Sequence, residues 1–340
     1  MSFVLYGSGG SGSCSSGVNR LYFPGSFVSQ SQTVWNTECN MEYSWDKWSK
    51  EELEKQYSPS CWSHRFSSDV VIDAHIATIQ KGTEQGRAYA QTMLDIPYGS
   101  GPCQLIDVYL PRSPCPNPPA LIYIHGGYWQ MLSKDLSGFM VPPLVDLGIV
   151  VVVPGYTTAP KGDLDQMVVE MRKAVAFVAK QYSQFSGIYL CGHSAGAHLV
   201  AMVLATDWTQ PEYGIQPNIR GAMLVSGLYD LRPLLNTRVN DPLKLNMEAA
   251  VRNSPELFPD AIWDGQLGRR LVIAVGQHDP PEFRRQSLEF HQRLVKCGLP
   301  AVLIDVTNVD HFDVMDRLNL PDYELTQALK KLIYDEEFVW

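Results

Sequence analysis

Gly187-Ile188-Tyr189-Leu190-Cys191-Gly192-His193-Ser194-Ala195-Gly196-Ala197 runs from an apolar segment, through a G-x-S-x-G pentapeptide, into a stretch rich in alanine and leucine. A buried strand that turns sharply into a helix would lift Ser194 Oγ above the end of a sheet, as a nucleophile elbow does. The glycines fit, because strand, turn and helix approach one another too closely there for a side chain. A serine that merely caps a buried helix would leave the same pattern, and the pentapeptide also arises by chance. Its meaning depends on whether a base, an acid and oxyanion-binding amides stand at matching places elsewhere in the chain.

Short, dense apolar runs recur at 120–124, 149–153, 187–191, 221–225, 271–275 and 301–306, separated by stretches of helical spacing. Strands of this kind are buried on both faces, and their alternation with helices predicts a mostly parallel sheet flanked by helices. Upstream, 92–98 and 104–110 read as two strands joined by a Gly-Ser-Gly-Pro turn, hence a hairpin. Eight strands, the second antiparallel to its neighbours, form the plan of the α/β-hydrolase fold. Apolar residues at 164, 167, 168, 171, 175 and 178 give 164–181 the face of a packed amphipathic helix.

Ser49-Lys50-Glu51-Glu52 is a capping box opening a short helix, which Ser58-Pro59 ends. Residues 71–87 read as helical in part, with Gly82 and Gly86 weakening the second half. Between 227 and 270 the chain carries Pro233, Pro242, Pro255 and Pro259 and no strand pattern. That predicts a small helical, cap-like insertion, 228–269, between strands six and seven, placed where inserts form pocket walls. Residues 1–40 are rich in glycine and serine and read as a flexible extension, leaving 41–340 as a single domain.

The net charge of −9 offers no basic footprint for nucleic acid or an anionic membrane. Seven scattered cysteines with no C-x-x-C pair suggest free thiols in a reducing compartment. No apolar stretch reaches the roughly 20 residues that span a bilayer, and the N-terminus lacks the charged start of a signal peptide. The expectation is a cytoplasmic protein, with nuclear presence and a homodimer left open.

After the last strand stands His311, in Thr307-Asn308-Val309-Asp310-His311-Phe312, on a loop at the same sheet edge as Ser194. Of the other histidines, His64, His75 and His291 fall in helical or irregular surface stretches, and His193 and His198 flank the elbow. After the seventh strand stands Asp279, which would hold the imidazole in the needed tautomer and stabilise its protonated form. Asp230, after the sixth strand, is the rival acid; Asp310 and Asp313 point away from Nδ1 in an extended loop. The order Ser194, Asp279, His311 is the one this fold uses.

The third strand ends in His125-Gly126-Gly127-Tyr128-Trp129. An HGG turn frees the N–H groups of Gly126 and Gly127 to meet a developing oxyanion, joined by Ala195 N–H. His125 reads as a brace for the turn. Tyr128, Trp129, Tyr156 and Phe312 cluster beside these loops as candidate substrate contacts, although core packing explains any one of them. No metal-ligand motif, phosphate loop or dinucleotide fingerprint is present, so neither metal nor cofactor is expected.

With these parts in place the chain resembles the kynurenine formamidase (arylformamidase) family. The likeness is carried by Glu51-Glu-Leu-Glu-Lys-Gln-Tyr-Ser-Pro-Ser60, His125-Gly-Gly-Tyr-Trp-Gln130, Ala159-Pro-Lys-Gly162, residues 187–199, Gly276-Gln-His-Asp279 with Pro281-Glu-Phe283, and Val309-Asp-His-Phe312. The resemblance runs from about Trp45 to the C-terminus. It implies a serine hydrolase that cleaves N-formyl-L-kynurenine to L-kynurenine and formate in tryptophan breakdown. It also implies Ser194, Asp279 and His311 as the triad and the His-Gly-Gly turn as oxyanion hole. The residues themselves also allow an HGG-type carboxylesterase acting on short acyl esters.

Overall fold

The structure, a computed structural model, describes residues 45–113, 115–262 and 268–334. The extension expected at 1–40 lies outside them.

Eight strands form one sheet: β1 (Gln91–Pro97), β2 (Leu105–Leu110), β3 (Ala120–Ile124), β4 (Val150–Pro154), β5 (Ile188–His193), β6 (Ile219–Val225), β7 (Arg270–His278) and β8 (Ala301–Asp310). Their order is β1-β2-β4-β3-β5-β6-β7-β8. Strand β2 is antiparallel to both β1 and β4, and the remaining neighbours pair in parallel. This is the α/β-hydrolase plan.

The helices are α1 (Lys50–Gln56), α2 (Val71–Tyr89), α3 (Val141–Asp146), α4 (Leu164–Gln181), α5 (Ala195–Leu204), α6 (Asn240–Leu243), α7 (Met247–Arg252), α8 (Pro281–Lys296), α9 (Asp313–Asp316) and α10 (Glu324–Tyr334). They cover both faces of the sheet. Because side chains alternate along a strand, Ile122 and Ile124 of β3 and Leu190 of β5 join one core with Met171 and Val175 of α4 and Phe290 of α8. Leu121, Tyr123 and Cys191 join the other, with Leu144 of α3 and Leu329 of α10. Every residue of β3, β4 and β5 is buried. Double burial is why these strands read as unbroken apolar runs.

Helix starts follow the local chemistry. Ser49 Oγ accepts from Glu52 N (3.2 Å), capping α1, and Asp163 Oδ1 accepts from Gln166 N (2.8 Å), capping α4. Some elements exceed their expected limits. Helix α2 runs unbroken to Tyr89, because Gly82 and Gly86 face the 138–141 segment. A Cβ at Gly82 would meet Phe139 Cβ at 2.7 Å, and one at Gly86 would meet the Gly138 carbonyl. Close packing, which local propensity does not contain, outweighs the helix cost of glycine.

Strands β7 and β8 also run past their expected ends. They stay paired to His278 and Asp310 across an irregularity after Gly276. Between β6 and β7 the described residues carry α6, α7 and the 3-10 turns Arg232–Asn236, Pro255–Leu257 and Pro259–Ile262. No helix among the described residues is long and apolar enough to cross a membrane.

Candidate active site

Ser194 sits between the last residue of β5 and the first of α5 with φ +55° and ψ −120°. A non-glycine residue held there is strained, by about 1–3 kcal/mol, so its surroundings must fix it. Ser194 N donates to Val225 O at the end of β6 (2.8 Å), and Ser194 O accepts from His198 N (3.1 Å). Gly196 explains why the next turn must lack a side chain. A Cβ there would run into the carbonyl of Ile124 and lie 2.6 Å from that of His125, at the end of β3. The elbow is thus pressed against the His-Gly-Gly turn.

That turn is left-handed at three consecutive positions: Gly127 (φ +92°), Tyr128 (+51°) and Trp129 (+59°). Gly126 lies against the elbow, its would-be Cβ 3.3 Å from Ser194 Cβ. The turn is braced from behind. Tyr156 stacks on His125, with ring centroids 4.3 Å apart, and its hydroxyl donates to His125 O (3.0 Å). His125 Nδ1 in turn meets Gly126 O (2.9 Å), and burial pushes the His125 pKa down to about 4. A buried neutral imidazole has a structural part here.

His311 and Asp279 meet at 2.6 Å, Nδ1 to Oδ1, and both are buried. Since the carboxylate only accepts, Nδ1 carries the hydrogen and Nε2 is left for a reacting proton. The other carboxylate oxygen, Oδ2, accepts from Ser226 Oγ (2.6 Å) and Gly276 N (2.7 Å). Phe283 of α8 lies edge-on to the His311 ring at 5.0 Å.

His193, beside Ser194, meets His311 O through Nε2 (2.8 Å) and tethers the His311 loop to the elbow. Burial, then the nearness of His311, pulls the His193 pKa well below its usual value. The rival carboxylates are engaged elsewhere. Asp230 forms a two-pronged pair with Arg232, at 2.8 Å on each oxygen. Asp310 bonds Arg65 and Ser63. Asp313 accepts from Asp310 N and from Arg317. Burial alone would raise the Asp310 pKa, but Arg65, Ser63 and backbone amides bring it far down.

Ser194, His311 and Gly127 line one cavity of about 400 Å³. Of the four aromatic candidates, Tyr128 and Phe312 line it. Trp129 is fully buried, edge-on to His198 at 5.1 Å. His198 Nε2 in turn meets Asn253 O (2.7 Å), which ties the turn to the 226–262 segment. Tyr156 is the brace just described.

Much of the wall comes from residues whose chemistry gave no warning. Tyr57 and Ser58, after α1, and Ile72, His75 and Ile76 of α2 line it, as do Arg238 and Val239. His75, expected at the surface, is buried and paired with Asp316 at 2.7 Å. One face of α2 turns inward, and the paired carboxylate makes burial of the imidazole tolerable. The one signal for this wall was the likeness across 51–60. Among the described residues, no group of three or more His, Cys, Asp or Glu side chains is placed to hold a metal ion, and Cys61, Cys103, Cys115, Cys191 and Cys297 are free thiols.

Comparison with known proteins agrees with the fold. Residues 121–314 match the family model described as the alpha/beta hydrolase fold. A solved structure of a thioesterase candidate from Silicibacter sp. tm1040 superposes with a TM-score of 0.67 at 26% identity, covering 82% of this chain and 99% of that one. The kynurenine formamidase of Danio rerio is 52% identical over 85% of this chain and 98% of its own length. That of Salmo salar is 51% identical over the same shares. With this identity across nearly the whole of both relatives, the chain belongs to the kynurenine formamidase family, on the α/β-hydrolase fold.

Proposed function

We propose that the chain hydrolyses N-formyl-L-kynurenine to L-kynurenine and formate, with Ser194 as nucleophile, His311 as general base and acid, and Asp279 as the carboxylate that orients it. The observation that carries these roles is the 2.6 Å His311–Asp279 contact behind a cavity onto which a left-handed Ser194 opens. As Ser194 Oγ bonds to the formyl carbon, its proton passes to His311 Nε2. The carbonyl oxygen, now negative, is held by the N–H groups of Gly126, Gly127 and Ala195, and each such preorganised donor is worth about 10²–10³ in rate. Collapse breaks the carbon–nitrogen bond while His311 gives its proton to the departing arylamine, releasing kynurenine.

Water then adds to the formyl-serine, losing its proton to His311. The second collapse releases formate and restores Ser194. An arylamine leaves more readily than an alkylamine, so an esterase-like site suffices for this amide. Tyr128 and Phe312 flank the substrate's ring, while Trp129 and Tyr156 hold the oxyanion turn in place. The five free thiols among the described residues support a cytoplasmic setting.

Ser194→Ala tests the assignment. Turnover of N-formylkynurenine should fall by about 10⁵-fold or more, with the thermal midpoint unchanged or raised, since the strained position loses little packing. Near-normal hydrolysis by the variant would remove Ser194 from the chemistry. A kcat/KM on a nitrophenyl ester far above that on N-formylkynurenine would instead favour a carboxylesterase.

A further inference from the structure

The cavity wall is chiefly apolar or hydroxylic, with Ile72, Ile76, Leu132, Val239 and Phe312 among its residues. Against that background stand two fixed charges. Glu54 is the one carboxylate and Arg238 the one lysine or arginine among the described residues lining the cavity. They come from α1 and from the segment just before α6, yet they adjoin, because Glu54 Oε1 accepts from the backbone N of Arg238 at 2.7 Å. The carboxylate thus spends one oxygen on the amide rather than on the guanidinium. Among the described residues the Arg238 side chain forms no ion pair, and it is exposed while Glu54 is half-buried. The cavity therefore has one acceptor of positive charge and one acceptor of negative charge, side by side and not neutralising each other.

We propose that this pair recognises the α-amino acid end of the substrate: Arg238 takes the α-carboxylate and Glu54 the α-ammonium. The inference rests on the reading of the chain as a formamidase and adds to it the specificity determinant. An arylformamide bearing a free amino acid group is a zwitterion whose two charges sit on one carbon. A site with a single charge of each sign would suit it better than a site with either alone. A guanidinium–carboxylate contact is charge-assisted and two-pronged, but solvent screens it at an exposed residue. Each contact should therefore shift KM by about five- to tenfold rather than by orders of magnitude. Neither residue touches the reacting atoms, so the effect belongs to KM and not to kcat.

The test compares three substrates that share the ring, ketone and formamide. They are N-formyl-L-kynurenine, its decarboxylated analogue (which keeps the ammonium), and the uncharged ortho-formamidoacetophenone. Arg238→Gln should raise KM about five- to tenfold for N-formylkynurenine relative to both other substrates. Glu54→Gln keeps an acceptor for the Arg238 amide, so it separates charge from scaffold. It should raise KM for the first two substrates relative to the uncharged one. Equal changes on all three substrates, or no change on any, would overturn the assignment, as would a loss confined to kcat. If the wild-type protein cleaved the uncharged formamide and left N-formylkynurenine intact, the functional reading itself would fall. A wild type active on all three with insensitive variants would sink only the charged pair.

Discussion

The rim of strand ends and the helical wall facing it meet at one cavity but are built on different principles. On the strand side, Ser194, Asp279, His311 and the His-Gly-Gly turn all follow directly from the ends of β5, β7, β8 and β3. Their positions are fixed by the register of a sheet buried on both faces, and backbone and side-chain hydrogen bonds lock each loop to its neighbour. On the wall side, the lining comes from α1, α2 and the 237–240 segment, far apart in sequence, and is held by packing and a few long-range contacts such as Tyr128 Oη to Tyr57 O at 2.7 Å. On the proposed reading, the first region serves the reacting atoms and the second the shape of what is bound. Changes on the strand side should therefore act on kcat, and changes on the wall should act on KM.

The sharpest way to break that division, after Ser194→Ala, is Asp279→Asn. An amide cannot simultaneously accept from His311 Nδ1 and keep both donors now on Oδ2, Ser226 Oγ and Gly276 N. The imidazole would turn its unprotonated nitrogen toward the residue at 279 and lose the tautomer that accepts a proton from Ser194. We expect kcat to fall by about 10⁴-fold with KM within a few-fold of wild type. A loss of less than tenfold in steady-state assays would mean that the acid lies elsewhere, with Asp230 the first position to test.

A second test lies in stability. His125 and His198, which brace the strand side, are held neutral by burial with pKa values pushed down to about 4 from an ordinary 6.5. A depressed folded-state pKa means that the unfolded chain binds more protons between these limits. The stabilisation from keeping these rings neutral is complete above about pH 6.5 and is lost as pH falls toward 4. On the order of 3 kcal/mol for each ring should disappear across that interval. Urea midpoints measured from pH 7 to 4 should decline accordingly, and a flat profile would show that the two rings are accessible to protons in the folded state.

The same division explains what could be read from the sequence. The strands, the elbow, the loops carrying Asp279 and His311 and the helix 164–181 were legible because each depends on a local pattern: an apolar run, a capping residue, or a glycine at a turn. Helix α2 was legible only in part. Its glycines argue against a helix locally, and only the 138–141 segment, some fifty residues away, explains them. His75 was misplaced for the same reason, since its partner Asp316 lies 241 positions further along. Arg238 and Val239 carried no pattern at all. Residues whose role is set by tertiary approach leave no period in the sequence.

The smallest effect tests the wall itself. Ile76 lines the cavity from α2, one residue beyond His75 and about one helical turn from Ile72. Ile76→Ala removes apolar surface from the wall while leaving α2 with its strongest helix former. The residue is only partly buried in the protein, so the loss of folding stability should be modest, about 1 kcal/mol. The bound aryl group loses contact area of similar worth, which corresponds to a KM raised roughly fivefold. Because the contact is made equally in the ground and transition states, kcat should hold. If kcat fell instead and KM stayed put, α2 would be gripping the reacting geometry rather than the bound ring. The wall would then belong with the strand ends as part of the chemical apparatus.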